Sequence, residues 1–74
     1  MIDVAANPSD AVEKALDLFG NDILRLAYSY LKSREDAEDI VQDVLIRFMQ
    51  SAKSFEGEEH VKAWLLRVAA NLCK

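Results

Sequence analysis

The sequence predicts an all-α fold, a compact bundle of three to four helices, and three observations carry that prediction. Helix breakers are nearly absent: the 74 residues hold two glycines and one proline, and the proline is residue 8. The turn chemistry that a multi-stranded sheet needs is therefore missing. Apolar residues recur at helical spacing through most of the chain. Hydrophobic residues make up 51% and charged residues 30%, the balance of a folded domain rather than a disordered one. The length allows one small domain with a thin core, since a chain this short buries only about 60% of its unfolded surface.

Residues 1–8 read as a short, loosely ordered lead, and residues 9–74 as the helical domain. Pro8 favours an extended residue before it, so Asn7-Pro8-Ser9-Asp10 marks a helix start. Ser9 or Asp10 can cap there, and Asp10 with Glu13 has capping-box spacing. Val12, Ala15, Leu16, Phe19, Ile23, Leu24, Ala27, Tyr30 and Leu31 then follow a helical period. Gly20-Asn21-Asp22 interrupts it, which predicts a kink or two abutting helices, with Asn21 or Asp22 capping the second. Ser33 caps the next helix, and Glu35 and Asp36 sit where the positive end of the helix dipole favours acids.

That helix is the clearest element and the expected centre of the bundle. Ala37, Ile40, Val41, Val44, Leu45, Phe48, Met49 and Ala52 form its apolar stripe. Glu38, Asp39, Gln42, Asp43, Ile46 and Arg47 occupy the other face, with Ile46 the apolar exception that asks for a partner. Ser54 to His60 is a loop with one glycine and one large aromatic, Phe55. In the last helix Val61, Trp64, Leu65, Val68, Ala69 and Leu72 point inward, and Lys62, Arg67, Asn71 and Lys74 outward. The expected core is Leu16, Phe19, Leu24, Ala27, Leu31, Ile40, Val41, Val44, Phe48, Trp64, Leu65 and Val68. Helical character runs to Lys74 with no stop signal, which predicts a piece of a longer protein.

Several chemistries are excluded. One cysteine, Cys73, rules out an internal disulfide and a cysteine-based zinc site. The single histidine, His60, has no nucleophile or acid arranged beside it, so an enzyme is not expected. The acids from Glu35 to Asp43 lack the spacing and the glycine of a calcium loop, and no phosphate-binding glycine motif occurs. No cofactor is expected. No apolar run approaches the roughly 20 residues of a membrane helix, so membrane insertion is not expected and a cytoplasmic setting is. The net charge of −4 is unevenly spread: residues 35–46 hold five acids and no base, while residues 60–74 hold three bases and no acid. One segment suits a basic partner and the other an anionic one, unless both are ordinary solvated helix faces.

Three pieces occur in order. They are Asp36-Ala37-Glu38-Asp39-Ile40-Val41-Gln42-Asp43-Val44-Leu45-Ile46-Arg47-Phe48, the loop Phe55-Glu56-Gly57, and Ala63-Trp64-Leu65-Leu66-Arg67-Val68-Ala69-Ala70-Asn71. Together they resemble region 2 of bacterial sigma factors of the extracytoplasmic-function type (group 4 of the sigma-70 family), over about residues 11–74. The resemblance implies an all-helical domain that joins the factor to core RNA polymerase and opens promoter DNA at the minus-ten element. It implies that Asp39, Gln42, Asp43 and Ile46 dock on the coiled-coil clamp helices of the β′ subunit. It further implies that the loop and last helix capture the single-stranded minus-ten element through Phe55, His60, Lys62, Arg67, Asn71 and Lys74. Asn71 would read a base edge, and Lys62, Arg67 and Lys74 would meet phosphates. Phe55 is either a stacking platform or a plug against the core, and Trp64 either packs only in the core or also borders the DNA with its edge.

The sequence departs from the family pattern at Glu56, where many members are basic or polar. With Glu58 and Glu59 the loop holds three acids, which repel phosphate. The rival reading is a protein-interaction module whose main role is to dock an anti-sigma factor.

Overall fold

The computed structural model describes residues 2–74. The element order is β1 (Ile2–Asp3), α1 (Pro8–Leu31), α2 (Arg34–Ser51), β2 (Ser54–Phe55) and α3 (Glu58–Cys73). The architecture is an all-α bundle of three helices. Its long dimension of 35 Å is about the length of α1 alone, at a rise of ~1.5 Å per residue.

α1 starts one residue earlier than expected, and neither Ser9 nor Asp10 caps it. Asn7 does, its side-chain oxygen accepting from the Asp10 N–H at 3.4 Å, with Pro8 in the first turn where its missing N–H costs nothing. Of the two outcomes expected at Gly20-Asn21-Asp22, the abutting helices do not occur, since α1 runs through all 24 residues. A glycine inside a helix costs only ~1 kcal/mol, less than the packing it would forfeit, because Ala15, Ile23 and Ala27 on either side are buried. Asp22 caps nothing. Its carboxylate accepts from Arg25 at 3.0 Å and lies 3.8 Å from the Lys62 ammonium.

Ser33 does cap α2, its hydroxyl accepting from the Asp36 N–H at 3.4 Å. The bundle's centre is not α2, however: α1 is the longest helix and packs against both others. Its alanines at 11, 15 and 27, with Ala37 and Ala69 opposite, are buried, and small side chains let the helices approach. The core gathers Val4, Ile23, Val44, Phe48, Phe55, Val61 and Leu65. Leu16 is a correction to the expected core, since it is 47% exposed.

Residues 1–8 are not simply a loose lead. Ile2 pairs with Phe55 and Asp3 with Ser54 in an antiparallel two-stranded sheet, and Val4 is fully buried. Met1 lies outside the described residues.

Two helix ends use non-glycine residues in the left-handed region, Lys32 (φ 57°) and Ala52 (φ 51°). The Lys32 N–H returns to the Tyr28 carbonyl at 2.9 Å. A side chain in this conformation costs roughly 1–2 kcal/mol, which glycine avoids. Ala52→Gly is therefore expected to stabilise the fold by about 1 kcal/mol and raise the melting temperature by roughly 4–8 °C. Thermal unfolding followed by circular dichroism checks it, and an unchanged or lower midpoint contradicts it.

Candidate functional site

Two chemically opposite faces stand on different helices. On α2, Asp39, Gln42, Asp43 and Ile46 follow i, i+3, i+4, i+7 spacing and so share one outward stripe. Asp39 and Gln42 are exposed, Ile46 is 49% exposed, and Asp43 is intermediate. Asp43 is not a free acid: the Arg47 Nε donates to its Oδ1 at 3.3 Å. Glu38 likewise lies 3.5 Å from Arg34. Asp39 makes no ion pair among the described residues.

Beside the stripe an open groove of about 650 Å³ runs between α1 and α2. Leu16, Asp17, Gly20 and Leu24 line one wall, and Glu38, Val41, Gln42 and Leu45 the other. With exposed Leu16, Ile46 and Met49 near it, this side of the molecule offers apolar area rimmed by acids. The exposure of Leu16, which removes it from the core, is what opens this surface.

The second face is on α3. Successive residues advance by ~100° around a helix axis, so His60, Arg67 and Asn71 share one side, and Lys74 follows at the C-cap. All four are exposed. Lys62 is not with them. Five positions before Arg67, it lies on another flank and faces Asp22 of α1 across 3.8 Å. The structure thus unites four of the six expected DNA-binding residues and sets Lys62 apart.

Phe55 is set apart for a different reason: it is only 1% exposed. Its ring packs 5.5 Å from Phe48, 5.9 Å from Trp64 and 5.0 Å from His60. It is the plug that roots the loop, and it presents no open ring face for a base to stack on. Trp64 is partly buried, 5.8 Å from Phe48, with the Lys53 ammonium 5.9 Å from its ring centroid. Such a cation–π contact is worth ~0.5–1 kcal/mol when exposed.

Lys53 escapes the sequence reading. Nothing but its place two residues before Phe55 marks it, yet it brings a positive charge to the Trp64 side of α3. At the loop tip, His60 Nδ1 accepts from the Glu56 N–H at 3.3 Å. Gly57 at the N-cap supplies no side chain and α3 has no side-chain cap, so the His60 contact holds the loop rather than the helix end. Glu58 and Glu59 fall in the first turn of α3, where the helix dipole favours them. Among the described residues no group of acids, histidine and cysteine is placed to hold a metal ion. Burial pushes the Cys73 thiol above its ordinary pKa, which lowers its thiolate fraction at neutral pH. Among the described residues no helix is long and apolar enough to cross a membrane.

Comparison with known proteins gives the chain's family. The sigma factor SigW of Bacillus subtilis is 33% identical over 69 residues, 93% of this chain and 37% of the relative. SigX of the same organism is 32% identical over 56 residues, 76% of this chain and 29% of the relative. SigG of Mycobacterium tuberculosis is 34% identical over 55 residues, 74% of this chain and 15% of the relative. All three are described as extracytoplasmic-function RNA polymerase sigma factors. The chain therefore spans well under half the length of these relatives. No solved structure matches it. Residues 16–74 match the Sigma-70 region 2 family, and the chain belongs to that family.

Proposed function

We propose that this chain is the module by which a sigma factor of the extracytoplasmic-function type engages core RNA polymerase and the minus-ten promoter element in transcription initiation. The observation that carries this reading is the separation of two opposite surfaces. The α2 stripe of Asp39, Gln42, Asp43 and Ile46, with the groove beside it, faces the β′ clamp helices. Its acids steer a basic partner and fix its register, while Ile46 and Leu16 supply apolar contact.

The α3 face of His60, Arg67, Asn71 and Lys74 takes the unpaired strand. Arg67 and Lys74 meet phosphates, and Asn71 reads a base edge. The loop acids Glu56, Glu58 and Glu59 gather at the other end of α3, so the backbone path runs toward the C-terminal half of the helix. Lys53 and the edge of Trp64 extend this surface. Melting costs a few kcal/mol per base taken from the stack, and contacts to the freed base and its phosphates offset it. The module is not an enzyme, and it works in the cytoplasm where the polymerase is.

The exposed apolar residues Leu16, Ile46 and Met49 also suit an anti-sigma factor, the alternative occupant of the same side. Selectivity for DNA separates the two readings. With the chain bound to core polymerase, a single-stranded minus-ten oligonucleotide is expected to bind more tightly than its scrambled version. Asn71→Ala is expected to remove about 1–3 kcal/mol of that discrimination. Arg67→Ala is expected to weaken both oligonucleotides alike and lower the salt slope by ~0.7. Lys62→Ala serves as the near-neutral control, because Lys62 is turned toward Asp22. Equal affinity for the two sequences with the unaltered chain refutes the promoter reading.

A further inference from the structure

We infer that the N-terminal strand is a strap that fixes the 54–60 loop, so that Lys53 and His60 at its two ends keep their places beside the unpaired promoter strand, with Val4 and Asp3 as the positioning residues. The inference rests on the reading of that loop and α3 as the DNA-contacting side.

Three consecutive pairs hold the loop root. Ile2 faces Phe55 and Asp3 faces Ser54 in antiparallel register. The next step of the same register is a hydrogen bond from the Val4 N–H to the Lys53 carbonyl at 3.0 Å. The Val4 side chain is completely buried in the cluster that contains Phe48 and Phe55. Beyond Val4 the chain turns back on itself, since Asp3 Oδ1 accepts from the N–H groups of Ala5 and Ala6 at 3.1 and 3.3 Å. Asn7 then caps α1. Residues 2–7 are thus fastened to the loop root at one end and to the longest helix at the other.

The loop needs this fastening. α2 ends at Ser51 and α3 begins at Glu58, so the backbone between them has no helix to pair with. A two-stranded ladder of two residues does not hold itself, and buried backbone groups left unpaired are costly. The loop's own chemistry works against a fixed path. Glu56, Glu58 and Glu59 repel one another, Gly57 gives no side-chain cap, and the tip is held by long hydrogen bonds, from the Glu56 N–H to His60 at 3.3 Å and from the Val61 N–H to the Gly57 carbonyl at 3.2 Å. A fixed loop matters because ordering a segment at the moment of binding subtracts from affinity. The strap packs on α1 and β2, away from the outward stripe of α2. It therefore acts on the DNA side and leaves the polymerase side alone.

The test is amide hydrogen exchange on the full chain carrying Val4→Ala or Asp3→Ala. Val4→Ala empties part of the buried contact. Asp3→Ala removes only the exposed turn and leaves the core intact, so it remains informative if Val4→Ala destabilises the whole fold. Amides from Ser54 to Gly57 are expected to exchange about tenfold faster in Val4→Ala and about threefold faster in Asp3→Ala, with α2 amides in Asp3→Ala within about twofold of the unaltered chain. With the chain on core polymerase, affinity for the single-stranded minus-ten oligonucleotide is expected to fall up to about threefold in Asp3→Ala, the most that about threefold faster loop opening allows, while binding to the β′ clamp-helix segment is expected to stay unchanged. Loop amides that do not move, or that rise only in step with α2, overturn the inference. Faster loop exchange with undiminished DNA affinity overturns it as well. Arg67→Ala measured alongside then distinguishes the failures: if it still weakens DNA binding, only the strap is wrong, and if it does not, the DNA reading falls too.

Discussion

Phe48→Ala is expected to lower the melting temperature by roughly 15–30 °C, which leaves much of the protein unfolded under ordinary conditions. Phe48 is fully buried, 5.5 Å from Phe55 and 5.8 Å from Trp64. Truncating a buried phenylalanine costs ~3–5 kcal/mol. The whole stability of a domain this size is only about 4–11 kcal/mol at 0.05–0.15 kcal/mol per residue. The loss has a functional side, because Phe48 sits on the helix that carries the acid stripe and under the residue that roots the loop. Both faces should therefore fail together in this variant, whereas surface substitutions should affect one at a time. Phe48→Leu keeps an apolar side chain of nearly the same bulk and is expected to cost ~1–2 kcal/mol. Thermal and urea unfolding of the two variants side by side provide the check. A fall of less than about 5 °C for Phe48→Ala would mean that stability does not reside in this aromatic cluster.

The period of apolar residues made α2 and α3 legible in the sequence, and Ser33 marked where α2 begins. The same rule left a kink or two abutting helices open at Gly20-Asn21-Asp22, because three poor helix formers in a row look like a stop. Whether they stop a helix depends on what is buried beside them, here Ala15, Ile23 and Ala27, and that is a tertiary fact. The N-terminal strand was illegible for a related reason. Two residues have no period, and their partners lie some 50 positions away at Ser54 and Phe55. The fate of Phe55 hangs on the same long-range pairing, so the sequence left plug and platform open. The acid stripe was readable because 39, 42, 43 and 46 share a face by spacing alone. The separate flank of Lys62 was readable in principle too, since five residues before Arg67 is well round the helix, whereas its 3.8 Å contact with Asp22 of α1 was not.

Reversing the charge of the α2 stripe should have the largest effect on binding. Asp39→Arg with Asp43→Arg is expected to weaken association with the β′ clamp-helix segment by about 3 kcal/mol, or ~100-fold, because two attractive contacts become repulsive. The fold should tolerate the change. Asp39 is exposed, and the Asp43–Arg47 pair is about half exposed on both sides, a class of ion pair worth ~0–1 kcal/mol. The single variants should not be equal. Arg47 already holds Asp43 at 3.3 Å, whereas Asp39 has no such partner among the described residues, so Asp39→Arg should account for the greater share. Titration calorimetry at two salt concentrations separates the electrostatic part from the rest. Raising the salt should weaken the unaltered chain and strengthen the residual binding of the double variant, since salt screens its new repulsion as it screens the native attraction, over ~8–10 Å. Ile46→Ala should behave in the opposite way, with a smaller loss that salt does not touch, because its contribution is apolar area. If the double variant is folded and binds the clamp helices as tightly as the unaltered chain, the acids serve another partner, and the docking surface must be sought in the groove between α1 and α2 alone.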